Sequence, residues 1–286
     1  MKNMILIADS GSTKAEWGIL SGNDTEIIKT QGISPYFLST AQIKVLLQQE
    51  LLPGITEPEN ISKIYYYGTG CTAPGTIGIV FNALSVLFPA ATIHITYDLV
   101  ASAHALCGQS KGIACILGTG SNSCYYNGDI VEKNKPGLGY ILGDEGGGAW
   151  LGKLLIAEYL YGNLEKEIEQ EFQVRFGTNK DSMLERVYSS SLPNRFLASF
   201  SLFFAEHRGH PHLEKLLKAG LDAFFTKHIM SYAESKTVPV HFTGSISWAY
   251  RDILMELCES YGFQVGKIAK EPMKDLLDYY RKRYEA

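Results

Sequence analysis

The chain has 286 residues, long enough for a substantial core and close to the size at which one core becomes two. It carries 26 basic and 30 acidic residues, a net charge of −4, and no basic cluster, which argues against nucleic acid or an anionic membrane as the main partner. No apolar run approaches the length of a transmembrane helix, and the N-terminal segment lacks a signal-peptide cleavage pattern. We therefore expect a globular protein that binds neither nucleic acid nor membrane.

Cysteine and histidine usage gives no sign of a metal centre. The cysteines are odd in number and without metal-ligand spacing, and those in strand-like runs are expected to be small buried hydrophobic side chains. The seven histidines show no convincing ligand set either. A reducing, cytoplasmic location is the resulting expectation. The cysteines are Cys71, Cys107, Cys115, Cys124 and Cys258.

Short strands open the chain. Apolar runs at residues 4–8, 15–20 and 26–30, joined by tight turns, predict an antiparallel meander with Asp9 in its first turn. Alternating strands and helices then indicate an α/β protein. The next predicted elements are a helix at 40–52, a strand at 63–67, a helix at 77–88, a strand at 92–96 and a helix at 99–107.

From residue 112 the pattern repeats. A strand at 113–117 breaks into a glycine turn, and further strands are predicted at 123–126 and 130–131. This recurrence suggests two halves built on one topology, with a boundary near residues 107–111. The remaining predicted elements are helices at 145–160, 164–176, 181–189, 194–205 and 212–235, a strand at 238–242, a helix at 250–261, a strand at 264–267 and a helix at 272–284 with one apolar face.

Four strand ends carry glycine with serine or threonine, at residues 9–14, 68–71, 118–121 and 243–247. Such turns direct backbone N–H groups and hydroxyls to one point, which suits a phosphate. One turn alone carries little weight, whereas two that open matched meanders indicate a phosphate-binding function.

The common nucleotide-binding fingerprints fit poorly. The P-loop pattern is absent. The segment GTGCTA at 68–73 fits a dinucleotide-binding pattern after a strand, but Pro74 interrupts the helix start that should hold the pyrophosphate. An NAD-binding protein is therefore the weaker alternative.

Three acidic positions at strand or turn ends have ordinary structural explanations. Asp98 could be a helix N-cap, Asp9 part of an Asx turn, and Asp144 with Glu145 a capping pair for the next helix. Taken jointly, three such carboxylates favour a functional reading.

An ordered set of short motifs spans nearly the whole chain. It resembles the BadF/BadG/BcrA/BcrD-type ATPase family of the sugar kinase/Hsp70/actin superfamily, and specifically the N-acetylglucosamine kinase branch. The resemblance implies an α/β fold of two ribonuclease-H-like (actin-like ATPase) domains with a nucleotide cleft between them. The motifs are DSGSTK at 9–14, Asp98, GTGSN at 118–122, GDEG at 143–146 and TGSIS at 243–247.

The resemblance also implies domain bounds. The smaller domain would comprise residues 1–108 with the C-terminal helix at 271–286, and the larger domain residues 109–270. Homodimer formation is left open.

Roles for individual residues follow from the same resemblance, with ATP and Mg²⁺ as cofactors. Asp9 would hold Mg²⁺, and Asp98 would be the catalytic base that accepts the proton of the sugar hydroxyl. The residues expected to bind ATP are Gly11, Ser12, Thr13, Lys14, Gly118, Thr119, Gly120, Ser121, Gly244 and Ser245. The residues expected to bind the sugar are Ser34, Asn122, Gly137, Leu138 and Asp144.

The implied reaction is ATP-dependent phosphorylation of an amino-sugar hydroxyl, with N-acetylglucosamine and its 6-phosphate as the first expectation. Ser34 lies in a loop where the family carries asparagine, and Leu138 stands where vertebrate-like members have tryptophan, so the exact sugar is left open. An alternative within the family is the ATPase activator of a radical dehydratase, which needs clustered cysteines for an iron–sulfur cluster. A sugar-responsive regulator would need a DNA-binding appendage, for which a first strand beginning near Met4 leaves no room.

Overall fold

The structure is a computed structural model, which describes residues 4–22, 24–190 and 192–285. The chain divides into two compact units. Unit 1 runs to Ser110 and resumes at Glu271, and unit 2 is Lys111–Lys270. The outermost predicted domain bounds, residues 1 and 286, lie outside the described residues.

Strands and helices alternate in both units after an initial three-stranded meander. The elements of unit 1 up to Ser110 are β1 (Met4–Ser10), β2 (Lys14–Ser21), β3 (Asp24–Gln31), α1 (Thr40–Glu50), β4 (Ile61–Gly68), α2 (Pro74–Leu87), β5 (Thr92–Thr96) and α3 (Asp98–Cys107). The elements of unit 2 are β6 (Gly112–Leu117), β7 (Ser121–Tyr126), β8 (Val131–Lys135), α4 (Gly139–Leu142), α5 (Gly148–Tyr161), α6 (Lys166–Phe176), α7 (Lys180–Ser189), α8 (Pro193–Ser199), α9 (Leu202–Glu206), α10 (Pro211–Lys227), β9 (Val240–Thr243), α11 (Ser245–Ala249), α12 (Arg251–Tyr261) and β10 (Val265–Ala269). The last element, α13 (Met273–Glu285), belongs to unit 1.

The sheet of unit 1 has the order β3-β2-β1-β4-β5. β1 pairs antiparallel with β2 and parallel with β4, so it is the central strand. Apolar side chains cover both faces: α1 and α2 pack on one, and α3 and α13 on the other. The apolar face predicted for the C-terminal helix is buried, at Met273, Leu276, Leu277 and Tyr280.

The sheet of unit 2 has the order β10-β9-β6-β7-β8, which is the same topology. β6 takes the central place, antiparallel to β7 and parallel to β9. The prediction of two halves on one topology is therefore confirmed. A large apolar core, rich in phenylalanine, lies between this sheet and the helices of unit 2.

Several predicted boundaries were wrong. β1 continues through Ser10, so Asp9 is part of a strand and not of a turn, because it pairs with Glu16 across the hairpin. The third strand of the second meander is Val131–Lys135, since the turn before it extends to Ile130, whose carbonyl accepts from Asn127 N–H. The helix predicted at 212–235 ends at Lys227 and gives way to short 3₁₀ turns.

Within the described residues, no helix combines the length and apolarity needed to cross a membrane. All five cysteines are buried, and the burial of Cys115 and Cys124 in strands confirms their prediction as small buried side chains.

Candidate active site

In unit 1, two carboxylates lie near the ends of β1 and β5. Asp9 pairs with Glu16 on β2 and with Tyr67 on β4. Asp98 is the first residue of α3, directly after β5. Burial, followed by the nearby charges of Asp98 and Glu16, raises the pKa of Asp9 to about 8. The strand register thus concentrates negative charge at one place.

Asp98 is held from several sides. Its carboxylate accepts hydrogen bonds from the Leu99 amide, from its own amide and from the Thr69 hydroxyl. Burial nevertheless raises its pKa to about 6. The Thr69 amide in turn donates to the carbonyl of Ser10 at 2.9 Å, which ties the turn after β4 to the end of β1.

The structural explanations for the three acidic residues do not hold. The N-cap of α3 is Tyr97, so Asp98 is not a cap. Asp9 lies in a strand and not in an Asx turn. The helix after Asp144 begins at Gly148 with Gly147 as N-cap, and no side chain caps it.

The turn between β1 and β2 is tightly closed. The Gly11 amide donates to the Lys14 carbonyl at 3.0 Å, and the Gly32 amide donates to the Thr13 carbonyl at 3.1 Å. Ser12 is partly exposed and Thr13 is exposed. Gly32 lies against this turn: a Cβ there would be 2.5 Å from the Thr13 amide nitrogen and 2.6 Å from that of Lys14. Only glycine fits at that distance.

Replacing Gly32 with alanine is therefore expected to displace the turn and destabilise the protein by about 1–3 kcal/mol. Under the ATP-binding role that the motif resemblance implies for residues 11–14, it should also raise the KM for ATP about tenfold or more. Gly78 is the matched control, because it lies inside α2 with open space around it, and Gly78→Ala should leave the KM unchanged. Thermal unfolding and steady-state kinetics of both variants test the difference. Equal KM values for the two would show that the turn does not contact the nucleotide.

Lys14 is engaged in a charge cluster. Its Nζ lies 2.5 Å from Glu271 Oε1, while Lys29 Nζ lies 3.1 Å from Glu271 Oε2 and 2.8 Å from Glu16 Oε1. Hydrogen bonding from Lys14 is the main cause that lowers the pKa of Glu271, to about 2. A ligand phosphate would have to compete with Glu271 for Lys14.

Ser34, the sugar contact predicted in unit 1, is buried, and its carbonyl accepts hydrogen bonds from the amides of Phe37 and Leu38.

In unit 2, the corresponding turn joins β6 to β7. The Gly118 amide donates to the Gly120 carbonyl at 3.0 Å. The carbonyls of Gly118 and Thr119 accept from the first amides of α5, both at 2.8 Å. The Ser121 hydroxyl is buried, and no hydrogen-bond partner for it is found among the described residues. The turn is thus tied to the start of α5, and the Ser121 hydroxyl is left available to a ligand.

Asp144 lies beside this turn. The Ser121 amide donates to its Oδ1 at 3.4 Å, and a Cβ on Gly120 would be 2.6 Å from its Oδ2. Among the described residues it is the only non-glycine residue with a positive φ, 61°. Burial raises its pKa, against the Ser121 amide and the charge of Lys153, which lower it.

Three of the other predicted sugar contacts lie in the same unit, whereas Ser34 belongs to unit 1. A Cβ on Gly137 would be 3.1 Å from the Ser121 carbonyl oxygen and 3.7 Å from Asn122 Cγ. Asn122 Oδ1 accepts from the Ser123 amide at 2.9 Å and from Asn134 at 3.1 Å. Leu138 is exposed and borders Gly143. These residues therefore lie close in the chain or in space to Ser121 and Gly143, the neighbours of Asp144.

The turn after β9 approaches β6. A Cβ on Gly244 would be 2.7 Å from the Leu117 carbonyl carbon, directly before Gly118. Ser245 begins the short helix α11. Unit 2 thus brings together the predicted residues of three turns, while Asp9, residues 11–14, Ser34 and Asp98 belong to unit 1.

Three neighbours of the site were missed from the sequence. Glu16 is 4% exposed and faces Asp9, which the hairpin register could have indicated. Thr69 belongs to a glycine turn and to the dinucleotide pattern, but neither pattern indicates its hydrogen bond to Asp98. His228 is 4% exposed and lies beside Glu145. No sequence motif marks it, because it is the C-cap residue of α10 and its spacing is that of an ordinary helix.

The donor set near Asp9 fits Mg²⁺. No group of three or more His, Cys, Asp or Glu side chains suited to a metal is present in the described part of the chain. Mg²⁺ commonly keeps several waters and uses one or two carboxylates with substrate phosphates. A cation at Asp9 would relieve the repulsion from Asp98 and Glu16 that raises its pKa.

The two five-stranded mixed sheets with their flanking helices define a two-domain actin-like ATPase fold. A sheet with two antiparallel strands differs from the parallel dinucleotide-binding sheet, so the NAD-binding alternative does not fit. No family model matches the sequence, and neither does any curated protein.

Solved structures give a clear relationship. A candidate N-acetylglucosamine kinase from Porphyromonas gingivalis is 38% identical, with a TM-score of 0.93, and the alignment covers 98% of this chain and 99% of that one. The chain belongs to the BadF/BadG/BcrA/BcrD-type ATPase family, in its N-acetylglucosamine kinase branch, and is a phosphotransferase of the sugar-kinase class.

More distant structures share the fold alone. A candidate N-acetylglucosamine kinase from Chromobacterium violaceum is 18% identical, with a TM-score of 0.75 over 97% of this chain and 99% of that one. A ROK-family glucokinase from Streptomyces griseus, solved with glucose and AMPPNP, is 14% identical, with a TM-score of 0.54 over 98% of both chains.

Proposed function

We propose that the chain transfers the γ-phosphoryl group of ATP to a hydroxyl of an amino sugar, with N-acetylglucosamine and its 6-hydroxyl as the first acceptor. The observation that carries the proposal is Asp98, a partly buried carboxylate at the start of α3 that is held by Thr69 and lies near Asp9. The name of the 38% identical relative supports the choice of sugar.

Asp98 supplies the base. Its pKa of about 6 leaves it ionised at neutral pH, yet close enough to neutrality to take up a proton. The Thr69 hydroxyl and the Leu99 amide fix the direction of the carboxylate. Phosphoryl transfer depends mainly on positioning and charge, so one oriented acceptor of the hydroxyl proton is sufficient.

Asp9 would hold Mg²⁺, which supplies positive charge for the phosphate oxygens when bound. In the same proposal, Gly11, Ser12 and Thr13 bind phosphate oxygens through the closed turn, and Lys14 moves from Glu271 toward the phosphates. The turn of Gly118, Thr119, Gly120 and Ser121 would also bind phosphate oxygens, and Gly244 and Ser245 would lie near the adenosine.

Asp144 would accept hydrogen bonds from sugar hydroxyls, and Asn122, whose Oδ1 already accepts two hydrogen bonds, would donate from Nδ2. The Asn122 amide nitrogen lies close to Gly137, whose small size leaves room for an acceptor ring. Leu138 offers an exposed apolar side chain for the acetyl methyl group, and Ser34 would be a further sugar contact. The departures at Ser34 and Leu138 bear on which sugar is preferred.

Measurement of ADP release over a panel of acceptors tests the proposal. The panel should contain N-acetylglucosamine, N-acetylmannosamine, N-acetylmuramic acid, glucosamine and glucose, with product mass confirming transfer. We expect N-acetylglucosamine to give a kcat/KM about tenfold or more above glucose, since a recognised group commonly contributes more than 1 kcal/mol. ADP release that is independent of every sugar would instead support the ATPase-activator alternative.

A further inference from the structure

A buried polar pair in unit 2 has no place in the proposed reaction. Glu145 and His228 have side chains that are 14% and 5% exposed, and His228 Nε2 lies 3.6 Å from Glu145 Oε2. The imidazole stacks on Phe224, with ring centroids 4.7 Å apart. Buried ionisable groups are costly unless their hydrogen bonds are satisfied, so the partners of the pair matter.

The other nitrogen of His228 leads to β7. Nδ1 lies 3.3 Å from Ser123 Oγ. The Tyr232 hydroxyl lies 2.9 Å from the same oxygen and donates to the Ser123 carbonyl at 2.8 Å. The Lys135 amide donates to the Tyr232 oxygen at 2.8 Å. The pair is therefore one end of a hydrogen-bonded chain that begins on the backbone of β8.

Counting protons leaves two arrangements of this chain. Tyr232 donates its only proton to the Ser123 carbonyl, so the Ser123 hydroxyl can donate either to the Tyr232 oxygen or to His228 Nδ1. In the second arrangement, the one proton of a neutral imidazole lies on Nε2, on the side of Glu145. Only this arrangement gives Glu145 a donor from a neutral histidine.

Both ends of the chain adjoin proposed acceptor contacts. Ser123 follows Asn122, whose Oδ1 accepts from the Ser123 amide. Glu145 follows Asp144, whose positive φ needs support from its surroundings. With the Glu145 side chain anchored in the interior, the Asp144 carboxylate is left beside the turn of Gly120 and Ser121.

We propose that Glu145 and His228 are positioning residues for the acceptor: they lock the segment carrying Asp144 to β7 beside Asn122, so that both acceptor contacts keep one geometry. This inference rests on the proposed function. It assigns no proton transfer to the pair.

Two substitutions at position 228 separate the links of the chain. His228→Asn keeps a polar atom near Ser123 but is too short to reach Glu145, whereas His228→Gln places a donor near the former Nε2. We expect His228→Asn to raise the KM for the sugar about tenfold or more, with the KM for ATP within about twofold, and His228→Gln to restore most of the loss.

Two further substitutions probe the other partner. Glu145→Gln keeps an oxygen acceptor and should stay within about threefold of the wild-type sugar KM, while Glu145→Leu should resemble His228→Asn. The control is His241→Asn, on β9, where the imidazole Nδ1 accepts the backbone amide of Lys267 at 2.9 Å. It should leave the sugar KM unchanged. If the variants at position 228 fail to fold, the comparison of Glu145→Gln with Glu145→Leu tests the proposal by itself.

Nitrogen-15 NMR of labelled histidine gives an independent readout. We expect His228 to be neutral, with the proton on Nε2, and to lose that signature in Glu145→Leu. A His228 protonated on Nδ1, or equal sugar KM values for His228→Asn and His228→Gln, would overturn the inference while leaving the proposed function intact. A wild-type protein that phosphorylates no sugar of the panel would overturn both.

Discussion

Replacing Asp98 with asparagine is expected to lower kcat by about 10²–10⁴-fold, with the KM values for ATP and sugar within about threefold of wild type. Asparagine has the same shape and can still accept from the Thr69 hydroxyl and the Leu99 amide, so the start of α3 should be preserved. What is lost is the acceptor for the proton of the attacking hydroxyl.

The pH profile sharpens this test. Because burial raises the pKa of Asp98 to about 6, lowering the pH through that value protonates the base and slows the reaction. Wild-type kcat/KM should therefore decrease as the pH is lowered, with a midpoint at or below pH 6, because a cation bound at Asp9 would lower the pKa of Asp98 further. The residual activity of Asp98→Asn should not show this decrease.

Asp181→Asn is the matched control, since Asp181 is an exposed carboxylate in the first turn of α7. It should leave kcat unchanged. A loss of folding in Asp98→Asn, with no selective effect on kcat, would assign Asp98 a structural role at the helix start.

The topology was predictable because it depends on local patterns of apolar residues and glycine turns. Apolar runs of strand length at residues 4–8 and 63–67 end in glycine turns, and the same pattern returns after residue 112. A polar residue after such a run reads as a turn, which is why Asp9 was misplaced: its strand is extended by pairing with Glu16, a contact across the hairpin.

The environment of the site was less accessible from the sequence. Thr69 is joined to Asp98 only because β4 and β5 are neighbours in the sheet. His228 meets Ser123 across 105 residues, and its helical spacing resembles that of any core residue. Residue types and turns identify candidate groups, whereas their hydrogen-bond partners arise from strand order and helix packing.

Replacing Asp9 with asparagine is expected to have two opposite effects. It should abolish Mg²⁺-dependent transfer, because the only carboxylate assigned to the metal is lost. It should also stabilise the metal-free protein at pH 8 by on the order of 2 kcal/mol, or roughly 5 °C in Tm.

The second effect follows from the sign of the pKa shift. Burial and the charges of Asp98 and Glu16 raise the pKa of Asp9 from 3.8 to about 8, so between these values the folded protein holds a proton that the unfolded chain has released. Stability therefore decreases as pH rises through this window. Asparagine does not ionise, so the stability of the variant does not decrease for this reason as the pH rises.

Thermal unfolding at pH 5 and pH 8, with and without Mg²⁺, measures both effects together. The difference in Tm between Asp9→Asn and wild type should widen toward pH 8, and Mg²⁺ should close it by stabilising only the wild type, since binding to the folded state favours ionised Asp9. Asp129→Asn, at an exposed turn position, should show neither behaviour. Equal stabilisation of Asp9→Asn and wild type by Mg²⁺ would show that the cation binds to groups other than Asp9. The charge repulsion among Asp9, Asp98 and Glu16 would then have to be relieved by a different ligand.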